Sequence, residues 1–363
     1  MDISNAMIPV IDYKPYPIKK MYNIGIIGCG FAVNTLHMPA YKKAGFQVVA
    51  VCDKNAEALK STMDKWGIGK GFTDYKELLK LEDIDIIDLA IPTFGRMEIV
   101  REATKAGKHI FIQKPVSRSV AEVKEMIECA DANNVKIGVN SHSRWFPSFR
   151  GAWSLIKQGY IGEPHFIDMQ MCHNQDEVYW YDMPERRWNA ELTDFITVEW
   201  GAHLFDFTRF WVGSEPDLVY MASTRHPSQI FKSDMICNYI LEFPKGLIAS
   251  YTINQANKSK ELFWKFRIEG SNGVIKGEQP SHLELYTKKL GDNWLVWDLP
   301  TDTSMGLPDS YIGCMGDLMN AITDNREHIS SIKDNINTLK ICLAGIRSRE
   351  LHRPVAPWEV DEI

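Results

Sequence analysis

The stretch Ile24-Gly25-Ile26-Ile27-Gly28-Cys29-Gly30 decides the fold of this 363-residue chain. A short run of branched apolar residues ends at a Gly-Cys-Gly triplet, and the helical pattern Thr35–Ala44 follows it. Such a run is typical of a buried parallel strand, and the glycines allow a tight turn into a helix. The sequence therefore predicts a strand, a turn and a helix in immediate succession.

The same alternation continues as far as Asn140. The strand-like runs are Ile24–Gly28, Val48–Cys52, Ile86–Ile91, Ile110–Gln113 and Ile137–Asn140. The helical patterns between them are Thr35–Ala44, Ala56–Trp66, Met97–Ala106 and Val120–Asn133. Strand–helix alternation builds a doubly wound parallel sheet, so the fold class is α/β and the N-terminal part is a Rossmann domain.

The pattern changes after about residue 145. Helices are predicted at Phe149–Lys157 and Ala202–Val212, and Pro244-Lys245-Gly246 is typical of a hairpin turn. The strand-like segments of this part are His165–Met171, Leu218–Thr224, Met235–Phe243, Leu247–Asn254, Leu262–Glu269 and Leu283–Tyr286. They predict an α+β domain with an antiparallel or mixed sheet.

The predicted organisation has four segments. An N-terminal arm covers 1–21, the Rossmann domain 22–145 and the α+β domain for substrate and oligomerisation 146–310. A helical segment, 311–363, is expected to pack back towards the Rossmann domain. Two domains suit this length, because single cores stop growing near ~250–300 residues.

The composition disfavours several classes of protein. The net charge is −6 and no long basic block is present, so we expect no nucleic-acid partner. No apolar run reaches the ~18 residues of a membrane span, and no secretory signal is visible, so a cytoplasmic location is expected. The seven cysteines are scattered, which is typical of reduced thiols, and no ligand cluster predicts a metal.

The Gly-Cys-Gly turn predicts a dinucleotide site. Gly28 and Gly30 allow a pyrophosphate to approach the backbone at the start of the helix. Asp53, at the end of the second strand, would accept hydrogen bonds from ribose hydroxyls and repel a 2′-phosphate, which favours NAD over NADP. The third glycine of the usual pattern is replaced by Val33, and a plain turn in another kind of α/β protein is the alternative.

Several motifs together resemble one family. Ala106–Pro115 resembles the AGKHVxxEKP signature of the glucose–fructose oxidoreductase, inositol dehydrogenase and MocA (Gfo/Idh/MocA) family, with Gln113 where Glu is usual. Glu199–Asp206 resembles its DxGxHxxD motif, with Glu199 in place of the first Asp. The other matching pieces are Pro92–Arg96 (TPNxxH, with Arg in place of His), Asn140 with Arg144 and Pro147, Gly159–Gly162, Arg347–Glu350 and Arg353–Val355.

The resemblance implies a fold and an assembly. Members have a Rossmann domain followed by an open, mostly antiparallel sheet, whose outer face is commonly buried against another subunit. A homodimer or homotetramer is therefore expected. The residues implied in NAD binding are Gly28, Gly30, Phe31, Ala32, Asp53, Pro92, Thr93, Gln113 and Lys114.

The resemblance also implies the catalytic residues. Lys114 and His203 would flank a substrate hydroxyl, with His203 as acid/base and Lys114 polarising the oxygen. Glu199 would contact the substrate or orient His203. The alternatives for these positions are a structural histidine and a solvated lysine at a strand end.

Substrate binding is expected from Asn140, Arg144, Trp188 and His203. Trp188 belongs to an aromatic group with Tyr179, Trp180, Tyr181 and Trp200, and aromatic faces stack on the C–H faces of sugars. Residues of a core or an interface are an equal alternative for this aromatic group, and surface positions are an equal alternative for Arg144.

The function implied is an NAD(H)-dependent dehydrogenase that acts on a secondary hydroxyl of a sugar, a sugar derivative or a cyclitol. An NAD-using enzyme that cleaves glycosides is the first alternative. A non-enzymatic NAD-sensing regulator is the second, and the presence of both Lys114 and His203 argues against it.

Overall fold

The computed structural model describes residues 8–259, 261–301 and 307–361. The chain divides into two compact units. The Rossmann unit contains Lys14–Trp145 and Leu307–Ile336, and the described part of the sheet unit contains 8–13, 146–259, 261–301 and Asn337–Asp361. Residues 1–7 of the predicted arm lie outside the described ranges, and the four-segment boundaries stay a prediction.

The elements of the chain are named here in chain order. The strands are β1 Asn23–Ile27, β2 Gln47–Cys52, β3 Gly71–Phe72, β4 Ile86–Leu89, β5 His109–Ile112, β6 Ile137–Val139, β7 Pro164–Cys172, β8 Leu218–Thr224, β9 Ile236–Glu242, β10 Ile248–Asn254, β11 Phe263–Gly270, β12 Gly273–Glu278, β13 His282–Thr287 and β14 Leu295–Asp298. The helices are α1 Met38–Ala44, α2 Ala56–Trp66, α3 Tyr75–Leu79, α4 Arg96–Lys105, α5 Val120–Ala132, α6 Pro147–Lys157, α7 Gln175–Glu177, α8 Ala202–Val212, α9 Leu307–Thr323 and α10 Ile332–Leu351.

A parallel six-stranded sheet forms the Rossmann unit. Its strand order is β3-β2-β1-β4-β5-β6, the doubly wound order in which ligands bind where the order reverses, beyond the carboxyl ends of β1 and β4. This confirms the α/β prediction. The alternating pattern did not reveal β3 and α3, because elements of two and five residues are too short to show a period.

The Rossmann core combines the sheet with a helix from far along the chain. Ile24, Ile26 and Phe111 of the sheet are fully buried in one cluster with Cys314 and Met315 of α9. Apolar strands covered on both faces explain the near-continuous hydrophobic runs of the sequence. Helix α9 therefore completes a face of the parallel sheet.

An eight-stranded sheet forms the sheet unit. Its order is β14-β13-β12-β11-β7-β10-β9-β8, and only the β7–β10 pair is parallel. This confirms the open, mostly antiparallel sheet. Strand β9 alternates buried and exposed residues, as a sheet covered on one face requires. Strand β12 was not predicted, because Gly273, Gly277 and its charged residues have low strand propensity, and β14 is a short edge strand.

An aromatic cluster forms much of the core beneath this sheet. The Trp211 ring lies 5.1 Å from that of Phe207 and 4.9 Å from that of Phe266. Its indole N–H donates to the carbonyl of Phe149 at 2.9 Å, so the polar end of the side chain is satisfied as well. No helix in the described parts of the chain is long and apolar enough to cross a membrane.

We expect Trp211→Ala to lower the free energy of unfolding by about 3–5 kcal/mol, because it opens a cavity and leaves a buried carbonyl without its donor. Trp211 is 2% exposed, whereas Trp358 is 72% exposed. Trp358→Ala is therefore the matched control and should change the urea midpoint little. Equal midpoints for the two variants would contradict the packing described here.

Candidate functional site

The glycine turn lies at the carboxyl end of β1. Gly28 has a φ of +108°, and a Cβ on it would lie 2.6 Å from the carbonyl oxygen of Ala90, so only glycine fits. Gly30 is exposed, and a Cβ there would meet no atom within 4 Å. The turn is thus closed on the Gly28 side and open on the Gly30 side, as the approach of a ligand to the backbone requires.

Asn34 secures this turn from within the unit. Its Nδ2 donates to the carbonyl of Cys29 at 2.9 Å and to Oγ1 of Thr62 at 2.9 Å. Its Oδ1 accepts from the indole N–H of Trp66 at 2.9 Å. Asn34 was not predicted, and its only signal was a polar residue immediately before the predicted helix Thr35–Ala44.

Asp53 follows β2, as the sequence predicts, and its carboxylate reaches the glycine turn. Oδ2 accepts from the N–H of Cys29 at 2.7 Å, and Oδ1 accepts from the N–H of Asn55 at 2.8 Å. These bonds hold the carboxylate beside the turn at the reversal of strand order. A dinucleotide fits these residues, since Gly28 and Gly30 would admit its pyrophosphate and Asp53 its ribose.

The helix after the turn begins irregularly. Phe31 and Ala32 are half-buried, and a π-helical turn covers Val33–His37 before α1 starts at Met38. Val33, at the third glycine position, is fully buried in the core. The π-turn brings His37 to a buried position beneath the turn that follows β5, a contact the α-helical pattern did not predict.

Lys114 lies just after β5 in a segment held by Arg96. The guanidinium of Arg96 donates to the carbonyls of Ile91 at 3.0 Å, Gln113 at 2.5 Å and Val116 at 3.2 Å, and also to that of Pro115. It therefore fixes the backbone on both sides of Lys114. The sequence noted Arg96 only as a departure from the family motif, and its role follows from these contacts.

Two predicted cofactor residues occupy the turn between β4 and α4. Pro92 is exposed and Thr93 is half-buried, directly after Ile91, whose carbonyl Arg96 binds. The structure thus brings Pro92, Thr93, Gln113 and Lys114 to the carboxyl edge of neighbouring strands.

Asn140 and Arg144 differ in the partners that their side chains have. Asn140 follows β6 and is fully buried, yet its side-chain Oδ1 and Nδ2 have no hydrogen-bond partner among the described residues. Such an amide is costly unless a ligand satisfies it. The guanidinium of Arg144 donates to Asp334 at 2.6 Å and to the carbonyl of Ile329. Those contacts tie the unit together, and substrate binding by Arg144 stays a prediction.

His142 was not singled out from the sequence. Burial, with the charge of Lys114 as a second cause, lowers the pKa of His142 to about 3. Its ring lies 4.6 Å from that of Tyr311 of α9. The imidazole is therefore neutral near pH 7, and Lys114 is the cation of this neighbourhood.

His203 lies on α8 in the sheet unit. It is 6% exposed, and its ring lies 6.2 Å from that of Trp200 and 5.9 Å from that of Trp264. Trp200 Nε1 and His173 Nδ1 are buried with no hydrogen-bond partner among the described residues. Burial lowers the pKa of His173 to about 4, which keeps it neutral. Two buried, uncharged polar atoms therefore lie on Trp200, which adjoins the predicted acid/base, and on His173, which adjoins Trp200.

Glu199 and Trp188 lie in two irregular helical segments that precede α8. Glu199 is half-buried in the π-helical turn Ile196–Gly201, which continues directly into α8. Trp188 is 46% exposed in the 3-10 segment Pro184–Glu191. Arg187 stacks over the ring of Trp180 at 5.3 Å. The side chain of Tyr179 lies outside the described part of the structure.

The described residues contain no group of three or more His, Cys, Asp or Glu side chains placed to hold a metal ion. A doubly wound parallel sheet with a glycine turn after β1 and an acid after β2 is typical of a dinucleotide-binding Rossmann protein.

The family follows from two matches. The model of the Gfo/Idh/MocA oxidoreductase family with an NAD-binding Rossmann fold matches residues 22–141, and the model of the Gfo/Idh/MocA C-terminal domain matches residues 149–276. The chain belongs to this family, which confirms the resemblance seen in its motifs. Its N-terminal domain is an NAD-binding Rossmann domain.

Relatives of known name are distant. D-apiose dehydrogenase of Paraburkholderia graminis is 24% identical over 351 residues, 93% of this chain and 90% of that protein. An oxidoreductase of Agrobacterium radiobacter, solved with NAD+, L-tartaric acid and magnesium, has a TM-score of 0.85 at 22% identity and covers 94% of this chain and 99% of its own. Levoglucosan dehydrogenase with NADH and L-sorbose has a TM-score of 0.79 at 21% identity, over 95% and 100%. At these identities the solved structures show a shared fold.

We expect Gly28→Ala to reduce stability and Gly30→Ala to weaken cofactor binding. Gly28→Ala places a Cβ against a backbone carbonyl at a positive φ, so it should lower the free energy of unfolding by about 1–3 kcal/mol. Gly30→Ala should leave the melting temperature unchanged but weaken NADH binding roughly tenfold, because the new methyl group occupies the open side of the turn. Fluorescence titration and thermal melting measure the two effects. Unaltered NADH binding by Gly30→Ala would contradict the site.

The low pKa of His142 predicts an acid-sensitive fold. Its pKa is about 3 when folded and about 6.5 when unfolded, so the unfolded state binds the extra proton as the pH falls. Stability should therefore decline below pH 6.5 by about 1.4 kcal/mol per pH unit from this group. His142→Gln should flatten that decline, whereas the exposed His352→Gln should not. Parallel stability curves for wild type and His142→Gln would refute this assignment.

Proposed function

We propose that the protein is an NAD(H)-dependent dehydrogenase that oxidises a secondary hydroxyl of a sugar, a sugar derivative or a cyclitol, or reduces the corresponding ketone. The observation that carries this proposal is the fixation of Lys114 beyond β5, where Arg96 and Gln113 hold its backbone. A solvated lysine at a strand end needs no such support.

The cofactor is proposed to be NAD rather than NADP. Gly28, Gly30 and the helix start at Phe31 and Ala32 would receive the pyrophosphate, and Asp53 would disfavour a 2′-phosphate. When bound, the nicotinamide supplies the hydride acceptor for oxidation and the hydride donor for reduction. The strand-end residues proposed to line its position are Pro92, Thr93, Gln113 and Lys114.

Lys114 and His203 are proposed to serve one substrate hydroxyl. His203 takes the hydroxyl proton during oxidation and returns it during reduction, a task suited to an imidazole near neutral pH. Lys114 donates a hydrogen bond to the same oxygen and stabilises the negative charge that develops on it. Glu199, one methylene longer than the usual Asp, is proposed to orient His203 or to bind a second hydroxyl.

The polar atoms around His203 support a neutral, hydroxyl-rich substrate. A hydroxyl both donates and accepts, so it can satisfy the indole N–H of Trp200 or Nδ1 of His173. Trp188 is proposed to stack on the sugar face. The relatives named D-apiose dehydrogenase and levoglucosan dehydrogenase agree with this substrate class without selecting one member of it.

The outer face of the sheet supports a homodimer or a homotetramer. Tyr220 of β8 and Ile240 of β9 are directly paired, and Ile248 of β10 lies on the same face opposite Glu242. All three apolar side chains are exposed. A second copy of the chain covering this face would remove them from water.

We expect a screen of sugars and cyclitols to give NADH with NAD and little NADPH with NADP. Lys114→Ala and His203→Ala should lower kcat/KM by roughly 10²–10⁴-fold. The exposed Lys157→Ala and His165→Ala are the matched controls. Product analysis covers the alternatives, since a glycosidase would cleave its substrate without net NADH. Binding of NADH with no turnover of any polyol, and no effect of either site variant on ligand binding, would favour a regulator and refute the proposal.

A further inference from the structure

A buried polar chain runs beneath the segment that carries Lys114. Asp88 of β4 and His37 at the end of the π-turn are both 0% exposed. Oδ2 of Asp88 lies 2.7 Å from Nδ1 of His37, and Nε2 of His37 lies 3.1 Å from Nε2 of Gln113. Oε1 of Gln113 accepts from the backbone N–H of Lys114 at 3.0 Å. The chain thus ends on Lys114 itself.

The hydrogen bond between Gln113 and the backbone of Lys114 fixes the proton positions along this series of hydrogen bonds. A backbone N–H can only donate, so the Gln113 atom facing Lys114 is the carbonyl oxygen, and the amide NH2 faces His37. That NH2 also only donates, so Nε2 of His37 is the acceptor and carries no proton. The remaining proton lies on Nδ1 and is donated to Asp88. His37 is therefore a neutral imidazole in a single tautomer.

A glutamate at position 113, as in the family signature, would not fit this arrangement. Its carboxylate would face the unprotonated Nε2 of His37, and two acceptors repel each other. The imidazole would then need a second proton. Gln113 is thus the residue that matches a neutral His37, and the departure from the signature is explained by a neighbour distant in the sequence.

The carboxylate of Asp88, at the other end of this series of hydrogen bonds, has a high desolvation cost. Asp88 interrupts the apolar strand β4 between Ile87 and Leu89, and its Oδ1 has no hydrogen-bond partner among the described residues. Oδ2 accepts from both His37 and the hydroxyl of Tyr41, at 2.8 Å. An aliphatic residue would avoid the desolvation of this charge. An aliphatic residue, however, could not accept the hydrogen bond that Asp88 accepts from Nδ1 of His37.

We propose that Gln113 and His37 are positioning residues for Lys114. The pair, oriented by Asp88, fixes the backbone of Lys114 through the amide oxygen and keeps the group next to it uncharged. The inference rests on the proposed function only where it takes Lys114 as the residue that contacts the substrate oxygen. The proton arrangement stands independently of any substrate.

Two titratable side chains near His37, Tyr41 and His142, are uncharged near pH 7. Burial and the Asp88 charge hold the pKa of Tyr41 well above its usual value, and the low pKa of His142 keeps that ring neutral. The Tyr311 ring lies 5.0 Å from that of His37. The titratable groups around His37 are Asp88, Tyr41, Lys114, His142, Tyr311 and Cys314.

The first test reads the imidazole directly in the full-length protein labelled with ¹⁵N-histidine. Long-range ¹H–¹⁵N spectra distinguish the two neutral tautomers from the imidazolium, and His37→Asn assigns the signal. Wild type should show a neutral ring with the proton on Nδ1. Gln113→Glu should show the imidazolium at pH 7, and Gln113→Glu with Asp88→Asn a neutral ring with the proton on Nε2. A wild-type imidazolium, or a wild-type proton on Nε2, would overturn the proposal.

The second test reads the effect on Lys114. Gln113→Glu should lower kcat by roughly 10- to 100-fold with a smaller change in KM, because the position of Lys114 changes. The double variant with Asp88→Asn reverses the polarity of the chain and should restore part of kcat. A double variant no faster than Gln113→Glu, when both are folded by circular dichroism, would show that the pair does not act through His37.

A third variant keeps the proposal testable if Gln113→Glu does not fold. Gln113→Leu removes both hydrogen bonds without adding a charge, so the His37 ring should remain neutral and kcat should still fall. Wild-type kcat in Gln113→Leu would refute the positioning role. If no polyol is turned over, the spectra still decide the proton arrangement, so failure of the proposed function is separable from failure of this inference.

Discussion

The backbone on both sides of Lys114 depends on the guanidinium of Arg96. It lies at the start of α4 and binds carbonyls that follow two adjacent strands, β4 and β5. A planar group with five fixed donors can hold several carbonyl oxygens at once, whereas a neutral histidine ring has one donor. The arginine in place of the usual histidine therefore changes the way in which the backbone around Lys114 is held. The predicted cofactor residues Pro92, Thr93, Gln113 and Lys114 all lie in the two segments that it joins.

Neutral imidazoles are a common feature of both units. Burial lowers the pKa of His142 in the Rossmann unit and of His173 in the sheet unit, and the hydrogen bonds around His37 require an uncharged ring as well. Each ring supplies a hydrogen-bonding atom without adding a cation. In the Rossmann unit the neutral His142 adds no further positive charge beside Lys114, which would suit the proposed role of Lys114 in polarising an oxygen.

The sequence predicts the parts of this fold that rest on a strong period. Strand β8 and helices α2 and α8 begin and end where their patterns indicate, because each has at least seven residues, enough for a pattern to show. The patterns could not reveal β3, α3, β12 or β14, which are short or poor in strand-forming residues. The family motifs singled out Lys114 and His203, and the acid after the second strand singled out Asp53. It could not reveal Asn34, His37 or Asp88, because their role arises from contacts between residues far apart in the chain. A buried Asp in an apolar strand was the one visible signal.

Two π-helical turns show why the spacing of residues in a motif could not predict which side chains are neighbours. Val33–His37 ends on the ring that meets Gln113, and Ile196–Gly201 contains Glu199 just before α8. In an α-helix, residues four apart share a face, so the spacing of Glu199 and His203 suggests neighbouring side chains. A π-turn closes its hydrogen bonds one residue later, which rotates the side chains before it relative to those after it. Glu199 lies before the junction at Gly201 and His203 lies after it, so their spacing of four does not by itself place the two side chains on one face. The Glu in place of the motif Asp at position 199 must therefore be interpreted together with the π-turn in which it lies. The Gln in place of the motif Glu at position 113 is likewise explained by its neighbour His37.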